Sequence, residues 1–370
     1  MRREFRRALT AAAAGRLVGR EEIITLLAAL PGEEEEALRR QADAVRAASV
    51  GDAVYLRGVI EFSNYCRCRC HYCGLRADNR KLARYRLSPE EILACARQGA
   101  ELGYGTIVLQ SGEDPYYTAE MIASLVKEIK SMGLAVTLCV GERPREDYAL
   151  WRRAGADRYL LKHETANPEL YQQLHPGMGL KRRLECLKWL KELGYQVGSG
   201  NIVGLPGQSL ADLADDLLLL RELKVEMAGI GPFIPHPETP LGGYPAGDLG
   251  LTLRVLAVAR LLLPFAHLPA TTAVGTLAPD GRQRALQGGA NVIMPNLTPP
   301  GYRERYQIYP NKICINERPE DCRSCLEAMV TGIGRYLGRG PGHFQGVKQD
   351  APRHGERFGS ILNLKGRKEN

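Results

Sequence analysis

Long apolar runs are missing from this sequence of 370 residues. A helix that crosses a membrane needs about 20 consecutive apolar residues, and the leucine-rich segments 217–220 and 261–263 are far shorter. The N-terminal segment is basic and rich in alanine, but it lacks a continuous apolar stretch and runs directly into Glu21 and Glu22. We interpret it as a helix and not as a signal peptide, and we predict a cytoplasmic protein without a membrane partner.

A strong charge imbalance is also missing. The 50 basic and 42 acidic residues give a formal net charge of +8, which a solvated surface explains; a basic face for an anionic ligand or a partner protein is the alternative. The sequence has no arginine-rich arm and no basic patch interleaved with aromatic residues, so it argues against a nucleic-acid partner.

Short β-branched runs alternate with longer amphipathic stretches from about residue 57 onward. The runs span residues 57–62, 106–109, 135–139, 158–161, 196–203, 227–232, 268–272 and 291–294. Such alternation implies parallel strands joined by right-handed helical crossovers, and eight units predict an α/β fold, a (β/α)8 TIM-type barrel. An open six-stranded partial barrel is the alternative. We predict a helical extension over 1–47, the barrel over 48–345 and a polar, basic tail over 346–370.

Cysteine is the residue with the most informative distribution. Six of the ten cysteines lie in two tight groups, and clustered cysteines in a cytoplasmic chain indicate a metal site or catalysis. The first group, Cys66-x3-Cys70-x2-Cys73, follows the first predicted strand, where a barrel places its chemistry. Three thiolates can hold three irons of a [4Fe–4S] cube and leave the fourth iron open to a ligand.

Two features of this first group need a separate interpretation. A zinc knuckle built on Cys70 and Cys73 is the alternative to the cluster, but the nearest second Cys-x2-Cys pair, Cys322 and Cys325, is about 250 residues away. Cys68 does not fit the ligand spacing, and we interpret it as a spare thiol.

The cysteine spacing at the end of a first barrel strand resembles the radical S-adenosylmethionine (SAM) superfamily. Ser111-Gly112-Glu113, after the second predicted strand, is similar to the Gly-Gly-Glu motif of that superfamily, with serine in place of the first glycine. The resemblance implies that Cys66, Cys70 and Cys73 bind the catalytic cluster and that SAM is cleaved to a 5′-deoxyadenosyl radical.

The flanking segments resemble one branch, which holds biotin synthase, methylornithine synthase and the [FeFe]-hydrogenase maturase HydE family. Segments 163–171, 229–237 and 291–296 are most similar to the maturase family. The second cysteine group, Cys314-x7-Cys322-x2-Cys325, also occurs in many maturases. It implies a second cluster, [2Fe–2S] or [4Fe–4S], without a catalytic role; incidental thiols or a zinc site are the alternatives.

The same resemblance predicts the residues that bind cofactor and substrate. On the SAM side these are Gln110, Ser111, Gly112, Glu113, Thr137, Glu164, Arg183, Met294 and Tyr306. On the substrate side they are Arg57, Arg158, His163, Thr271 and Thr272. Simpler roles stay open for several of them: a solvated helix residue for Arg183, core packing for Met294, an ion pair in the barrel wall for the two substrate-side arginines and a structural imidazole for His163.

The resemblance implies a function in assembly of the di-iron part of the hydrogenase H-cluster. The radical would attack the cysteine sulfur of an Fe(CO)2(CN)-cysteine precursor. The implied partners are the maturases HydG and HydF and an electron donor such as flavodoxin or ferredoxin. An orphan relative of the maturase, a carbon-skeleton mutase like methylornithine synthase and a non-enzymatic iron–sulfur carrier are the alternatives.

Overall fold

The computed structural model describes residues 1–346. The predicted tail, 346–370, lies outside the described residues except for its first residue. No helix in the described range is long and apolar enough to cross a lipid bilayer.

Fourteen helices are present among the described residues. They are α1 (Arg3–Ala13), α2 (Arg20–Leu27), α3 (Glu33–Val50), α4 (Pro89–Glu101), α5 (Ala119–Ser131), α6 (Arg145–Ala154), α7 (Pro168–Leu174), α8 (Leu180–Glu192), α9 (Leu210–Glu222), α10 (Leu249–Leu262), α11 (Thr272–Leu277), α12 (Gly281–Leu286), α13 (Pro300–Arg303) and α14 (Pro319–Gly332). Side-chain caps define several starts, since Ser88, Thr118 and Ser209 each accept a hydrogen bond from the third helical residue.

Eleven strands are present in the same range. They are β1 (Ala53–Leu56), β2 (Gly58–Ser63), β3 (Thr106–Ser111), β4 (Ala135–Cys139), β5 (Arg158–Leu160), β6 (Gln196–Ser199), β7 (Ile202–Val203), β8 (Met227–Ala228), β9 (Gly231–Pro232), β10 (Val292–Ile293) and β11 (Tyr336–Leu337).

The strands form a parallel barrel. β2, β3, β4, β5, β6 and β8 lie side by side in that order. Single parallel bridges, Met227 to His267 and Pro269 to Val292, continue the ring to β10, and β10 pairs with β1. Because β1 leads directly into β2, the ring of paired segments returns to its start.

The prediction of an α/β TIM-type barrel is confirmed, with two departures. Segment 266–270 is joined to its neighbours by single bridges and is not a full strand, so the barrel is partial on that side. Pro269 lacks an N–H for a regular ladder, which explains the weak pairing. The first predicted strand, 57–62, corresponds to β2, and β1 precedes it as a strand that was not predicted.

The N-terminal helices cover one side of the barrel. α3 packs on α10, and α2 packs on α9. α3 buries Leu38 and Ala42, and its Glu34 is buried beside Arg2, with 2.6 Å between the guanidinium and the carboxylate.

The end of the described chain closes the barrel mouth at the N-terminal ends of the strands. β11 pairs with β1, and the carbonyl of Pro341 accepts hydrogen bonds from Thr106 at 2.9 Å and from Arg158 at 2.8 Å. Gly105 approaches Gly340 so closely that a Cβ on Gly105 would lie 2.0 Å from the Gly340 oxygen. We call residues 338–346 the plug.

Candidate active site

The first cysteine group lies in the loop that follows β2, at the mouth opposite the plug. We call residues 63–75 the cluster loop. Cys66, Cys70 and Cys73 are all half-buried and none forms a disulfide. Burial raises the pKa of the Cys70 thiol to about 12, the nearby Cys66 thiol adds to this, and the Arg183 guanidinium opposes it. The extra thiol, Cys68, hydrogen-bonds the Cys66 sulfur and lowers the pKa of Cys66 to about 7.

The end of β3 packs tightly against the cluster loop. A Cβ on Gly112 would lie 2.2 Å from the carbonyl oxygen of Tyr65 and 2.7 Å from the Cβ of Cys66, so only glycine fits there. The next residue, Glu113, donates its backbone N–H to the Cys66 sulfur at 3.4 Å. The structure thus brings the Ser111-Gly112-Glu113 motif and the first cysteine into contact.

Arg84 stabilises the cluster loop through hydrogen bonds to its backbone, and it forms no ion pair with a carboxylate in the described part of the chain. Its guanidinium donates to the backbone carbonyls of Asn64, Leu75, Arg76 and Asn79. A planar group with five donors suits this task because one side chain can fix several carbonyls in a single geometry.

We expect Arg84→Ala to loosen the cluster loop without unfolding the barrel. Hydrogen bonds to a charged group are worth about 1.5–3 kcal/mol, so local opening should become roughly ten- to a hundredfold more frequent. The measurement is the anaerobic rate of iron loss to a chelator, with Arg80→Ala, an exposed residue of the same segment, as the control. Equal rates of iron loss in both variants would contradict this role.

Three of the predicted SAM-side residues, Glu113, Glu164 and Arg183, belong to one connected polar network. Glu142 donates its backbone N–H to Glu113 Oε1 at 2.8 Å, and its own carboxylate accepts from Arg183 Nε at 2.6 Å. Arg183 also donates to the carbonyl of Lys162 at 2.7 Å, and the Lys162 ammonium is 2.8 Å from Glu164. Glu142 was not predicted from the sequence, and Arg183 is buried, not solvated.

Glu164 has a left-handed backbone, with a φ of 64°. This conformation is uncommon for a residue other than glycine and marks a strained position. The backbone of Glu164 forms a parallel bridge with Asn201, just beyond the ends of the neighbouring strands β5 and β6, which fixes the position of Glu164 at the barrel mouth.

Below the network, the barrel interior contains a small cavity of about 30 Å³. Predicted residues Arg57, Thr137 and Met294 line it, together with Met227 and His267. Gln110 and Tyr306 lie within hydrogen-bonding distance of each other, 3.3 Å. Three buried polar atoms of the lining have no protein partner: Arg57 Nε, Thr137 Oγ1 and His267 Nε2.

His267 was not predicted, and its hydrogen bonds define its tautomer. The Asn291 side-chain oxygen accepts from Arg260 and from the backbone N–H of Leu268, so the Asn291 amide nitrogen faces His267 Nδ1, at 3.2 Å. Nδ1 is therefore the acceptor, and Nε2 carries the proton in the neutral ring. Burial holds the pKa of His267 well below its usual range, so the ring stays neutral and presents one donor.

The two predicted substrate arginines differ in their surroundings. Arg158 uses all three nitrogens on protein acceptors, which are Gln196, Thr106 and the plug. Arg57 contacts only the Met227 sulfur at 2.8 Å and the Gly342 carbonyl at 3.3 Å. Among residues 1–346 neither arginine pairs with a carboxylate, so no ion pair of the barrel wall neutralises them.

The remaining substrate-side residues have partners within the fold. His163 is fully buried, with Nδ1 3.0 Å from the Ser199 hydroxyl and Nε2 3.6 Å from Asp216. Thr271 caps α11 by accepting from the backbone of Val274 at 3.4 Å. Thr272 is the first residue of that helix.

The second cysteine group lies around the start of α14. Cys314 has a left-handed backbone, with a φ of 62°, and a hydrogen bond with the Cys322 thiol lowers the pKa of Cys314 to about 6. Arg282 is 3.6 Å from the Cys314 sulfur. Cys325 is exposed, one helical turn after Cys322.

Within residues 1–346 no three histidine, cysteine or acidic side chains surround a single-ion site. The ligands of a [4Fe–4S] cluster each bind a different iron, so they are not required to converge on one point. The cluster loop fits such a group on other grounds. Its three cysteines influence one another's pKa, and Glu113 and Arg183 lie beside them for the charged ends of an amino acid.

Comparisons with known proteins agree with this geometry. The model of the radical SAM superfamily matches residues 60–220, a range that includes the cluster loop and decides against a zinc knuckle there. The [FeFe]-hydrogenase maturase subunit HydE of Thermotoga maritima is 57% identical over 82% of this chain and 87% of its own length. The 3-methylornithine synthase of Methanosarcina acetivorans is 29% identical over 85% of this chain and 89% of its own.

Solved structures show the same fold. The methylornithine synthase PylB superposes with a TM-score of 0.80 at 27% identity, covering 90% of this chain and 97% of its own. The maturase HydG of Carboxydothermus hydrogenoformans superposes with a TM-score of 0.76 at 21% identity, covering 89% and 78%. Membership of the superfamily implies a [4Fe–4S] cluster and SAM. The chain therefore belongs to the HydE family of radical SAM enzymes.

Proposed function

We propose that this enzyme matures [FeFe]-hydrogenase by acting on an Fe(CO)2(CN)-cysteine precursor during assembly of the di-iron subcluster. The 57% identity to HydE supports the pathway. The substrate class is supported by the barrel cavity. There, Arg57 Nε, Thr137 Oγ1 and His267 Nε2 are buried without hydrogen-bond partners. Buried polar atoms are normally hydrogen-bonded, so the cavity is suited to a ligand rich in acceptors.

The residues of the open mouth would hold the cofactors. Cys66, Cys70 and Cys73 would bind the cluster, and Arg183 would hold the SAM carboxylate in a fixed orientation while Glu113 receives the amine. When bound, the cluster and SAM supply a 5′-deoxyadenosyl radical. Cys314, Cys322 and Cys325 remain a candidate second cluster site without a catalytic role in this proposal.

Below the mouth, the chain's own residues would position the substrate. Gln110, Tyr306 and Met294 would line the space between adenosine and substrate. The Arg57 guanidinium and the His267 N–H would bind the anionic cyanide end, because charge-assisted hydrogen bonds are the strong ones. The closed lower mouth excludes water, which protects a radical from side reactions. Attack on the cysteine sulfur of the precursor would form a bond between that sulfur and the 5′ carbon of deoxyadenosine while the sulfur–Cβ bond breaks, so the unpaired electron would leave on the released cysteine-derived fragment.

The partners follow from this chemistry. HydG would supply the precursor, HydF would receive the product, and a low-potential carrier such as flavodoxin or ferredoxin would reduce the enzyme. A cell-free maturation assay tests the proposal directly. The anaerobically reconstituted protein replaces HydE, and hydrogen evolution and 5′-deoxyadenosine are both recorded. Deoxyadenosine without hydrogen, with partners matched to the same host, would leave the enzyme class intact and reject the maturase function in favour of an orphan or mutase activity.

A substitution at Arg57 separates substrate binding from SAM cleavage. Loss of a charged hydrogen bond costs about 1.5–3 kcal/mol, so we expect Arg57→Leu to weaken the substrate roughly ten- to a hundredfold. Hydrogenase maturation should fall accordingly, while slow SAM cleavage without substrate and the thermal unfolding midpoint change little. Arg57→Lys, which keeps the charge, should recover part of the loss. Normal hydrogenase maturation by the Arg57→Leu protein would show that Arg57 does not bind the substrate.

A further inference from the structure

The cluster loop has two chemically different faces. Along residues 65–70 the exposure alternates: Tyr65, Arg67 and Arg69 are exposed, and the cysteines between them are half-buried. Successive side chains of this segment therefore lie on opposite sides of the loop. The side chains of Arg67 and Arg69 are 62% and 66% exposed. The surface directly above the cluster cysteines is therefore basic.

The positive charge continues through the segment that follows. Residues 64–86 contain seven basic residues and one acidic residue. We call the seven basic side chains the basic collar: Arg67, Arg69, Arg76, Arg80, Lys81, Arg84 and Arg86. Four carboxylates pair with them, Asp78, Glu113, Asp114 and Glu238. The collar thus exceeds its local counter-charges by three.

The excess has identifiable sources. Arg69 and Arg76 share the single carboxylate of Asp78, the hydrogen bonds of the Arg84 guanidinium all go to backbone carbonyls, and Arg80 is exposed. Exposed ion pairs are worth at most about 1 kcal/mol, so Arg69 can exchange its partner Asp78 for a carboxylate of another protein.

A rigid aromatic element lies at one edge of the collar. The Arg86 guanidinium lies 3.8 Å from the ring centre of Tyr65 and 4.6 Å from that of Tyr116, and both rings are exposed. The buried carboxylate of Asp114 holds Arg86 at 2.7 Å. Tyrosine and arginine in fixed positions are the residues that protein interfaces favour.

We propose that the basic collar is the docking surface for an acidic electron-carrier protein with a low-potential iron–sulfur or flavin centre. The inference rests on the proposed function only in requiring an enzyme whose cluster is reduced from outside. One electron leaves the carrier and enters the cluster, and no bond in the collar forms or breaks. Complementary charge would speed the encounter of the two proteins and orient the redox centre of the carrier over the exposed, basic side of the cluster loop.

The test compares charge reversal at the collar with charge reversal elsewhere. Arg69→Glu/Arg80→Glu changes two exposed collar residues that bind neither cluster nor SAM. Arg6→Glu/Arg7→Glu makes the same change on the exposed face of α1 and is the matched control. Each holoprotein is mixed anaerobically with reduced flavodoxin, and the rate of cluster bleaching and the Kd of the complex are measured over a range of salt. Reduced methyl viologen, a cation, serves as the second reductant.

We expect the collar variant to be reduced by flavodoxin at least about tenfold more slowly, with a higher Kd and a weaker dependence on salt. Reduction by methyl viologen should not slow, and the α1 variant should behave as wild type. Unchanged reduction by flavodoxin would overturn the proposal. So would equal slowing with both reductants, which would place the effect on the cluster itself. Because no hydrogenase is present in the assay, its result is independent of whether the maturase function holds.

Discussion

Cys70→Ala is expected to abolish 5′-deoxyadenosine formation, a loss of at least about a thousandfold. The half-buried Cys70 lies between Cys66 and Cys73 in the sequence, beside the Arg183 charge that acts on its thiol. Alanine leaves one iron corner without a protein ligand, so the cluster loses its third attachment and SAM its binding position. Iron content, the cluster spectrum and deoxyadenosine yield should be measured on the same anaerobic preparation.

The second cysteine group supplies the control for this experiment. Cys322→Ala should lower the iron content if a second cluster is present, and it should largely spare SAM cleavage. A folded Cys322→Ala protein that is fully inactive would mean that the second site has a role in catalysis. Normal SAM cleavage by Cys70→Ala would reject the assignment of the first group.

Arg183→Met is expected to have two separable effects. It leaves the buried carboxylate of Glu142 without its partner at 2.6 Å, and breaking a buried ion pair costs about 3–5 kcal/mol of stability. It also removes the group that we assign to the SAM carboxylate. We therefore expect a clear drop in the thermal unfolding midpoint together with a loss of SAM affinity of roughly a hundredfold, which corresponds to about 2.7 kcal/mol.

A double variant distinguishes the two effects. Arg183→Met/Glu142→Gln removes the uncompensated carboxylate, so stability should recover by a large part of the original loss. SAM affinity, measured by equilibrium binding, should not recover if Arg183 contacts SAM. Recovery of both properties would show that Arg183 acts only through Glu142, as a positioning residue.

The sequence predicted the fold well because barrel strands repeat a strong pattern. The exception is the predicted strand 268–272, which contains Pro269 and is joined to its neighbours by single bridges. The periodicity of a sequence does not show how many backbone hydrogen bonds a strand will form with its neighbours. The position of the cluster loop was also predictable, because the spacing of Cys66, Cys70 and Cys73 is itself the chemical signal.

The residues that sequence reasoning missed have roles that depend on distant partners. Glu142 is a single carboxylate in a loop, and only folding brings it to Arg183 and Glu113. His267 is a donor only because Asn291 and Arg260 define its tautomer. Likewise, Arg57 and Arg158 have the same chemistry in the sequence, and only the plug makes their surroundings different.

The placement of β1 has a consequence for how the chain reaches its final form on the ribosome. β1 lies between β10 and β11, so this strand waits for partners that emerge about 240 and 280 residues later. Contacts this distant in sequence slow folding and expose strand edges meanwhile. The ring of paired strands can therefore close only after β10 and β11 have emerged from the ribosome.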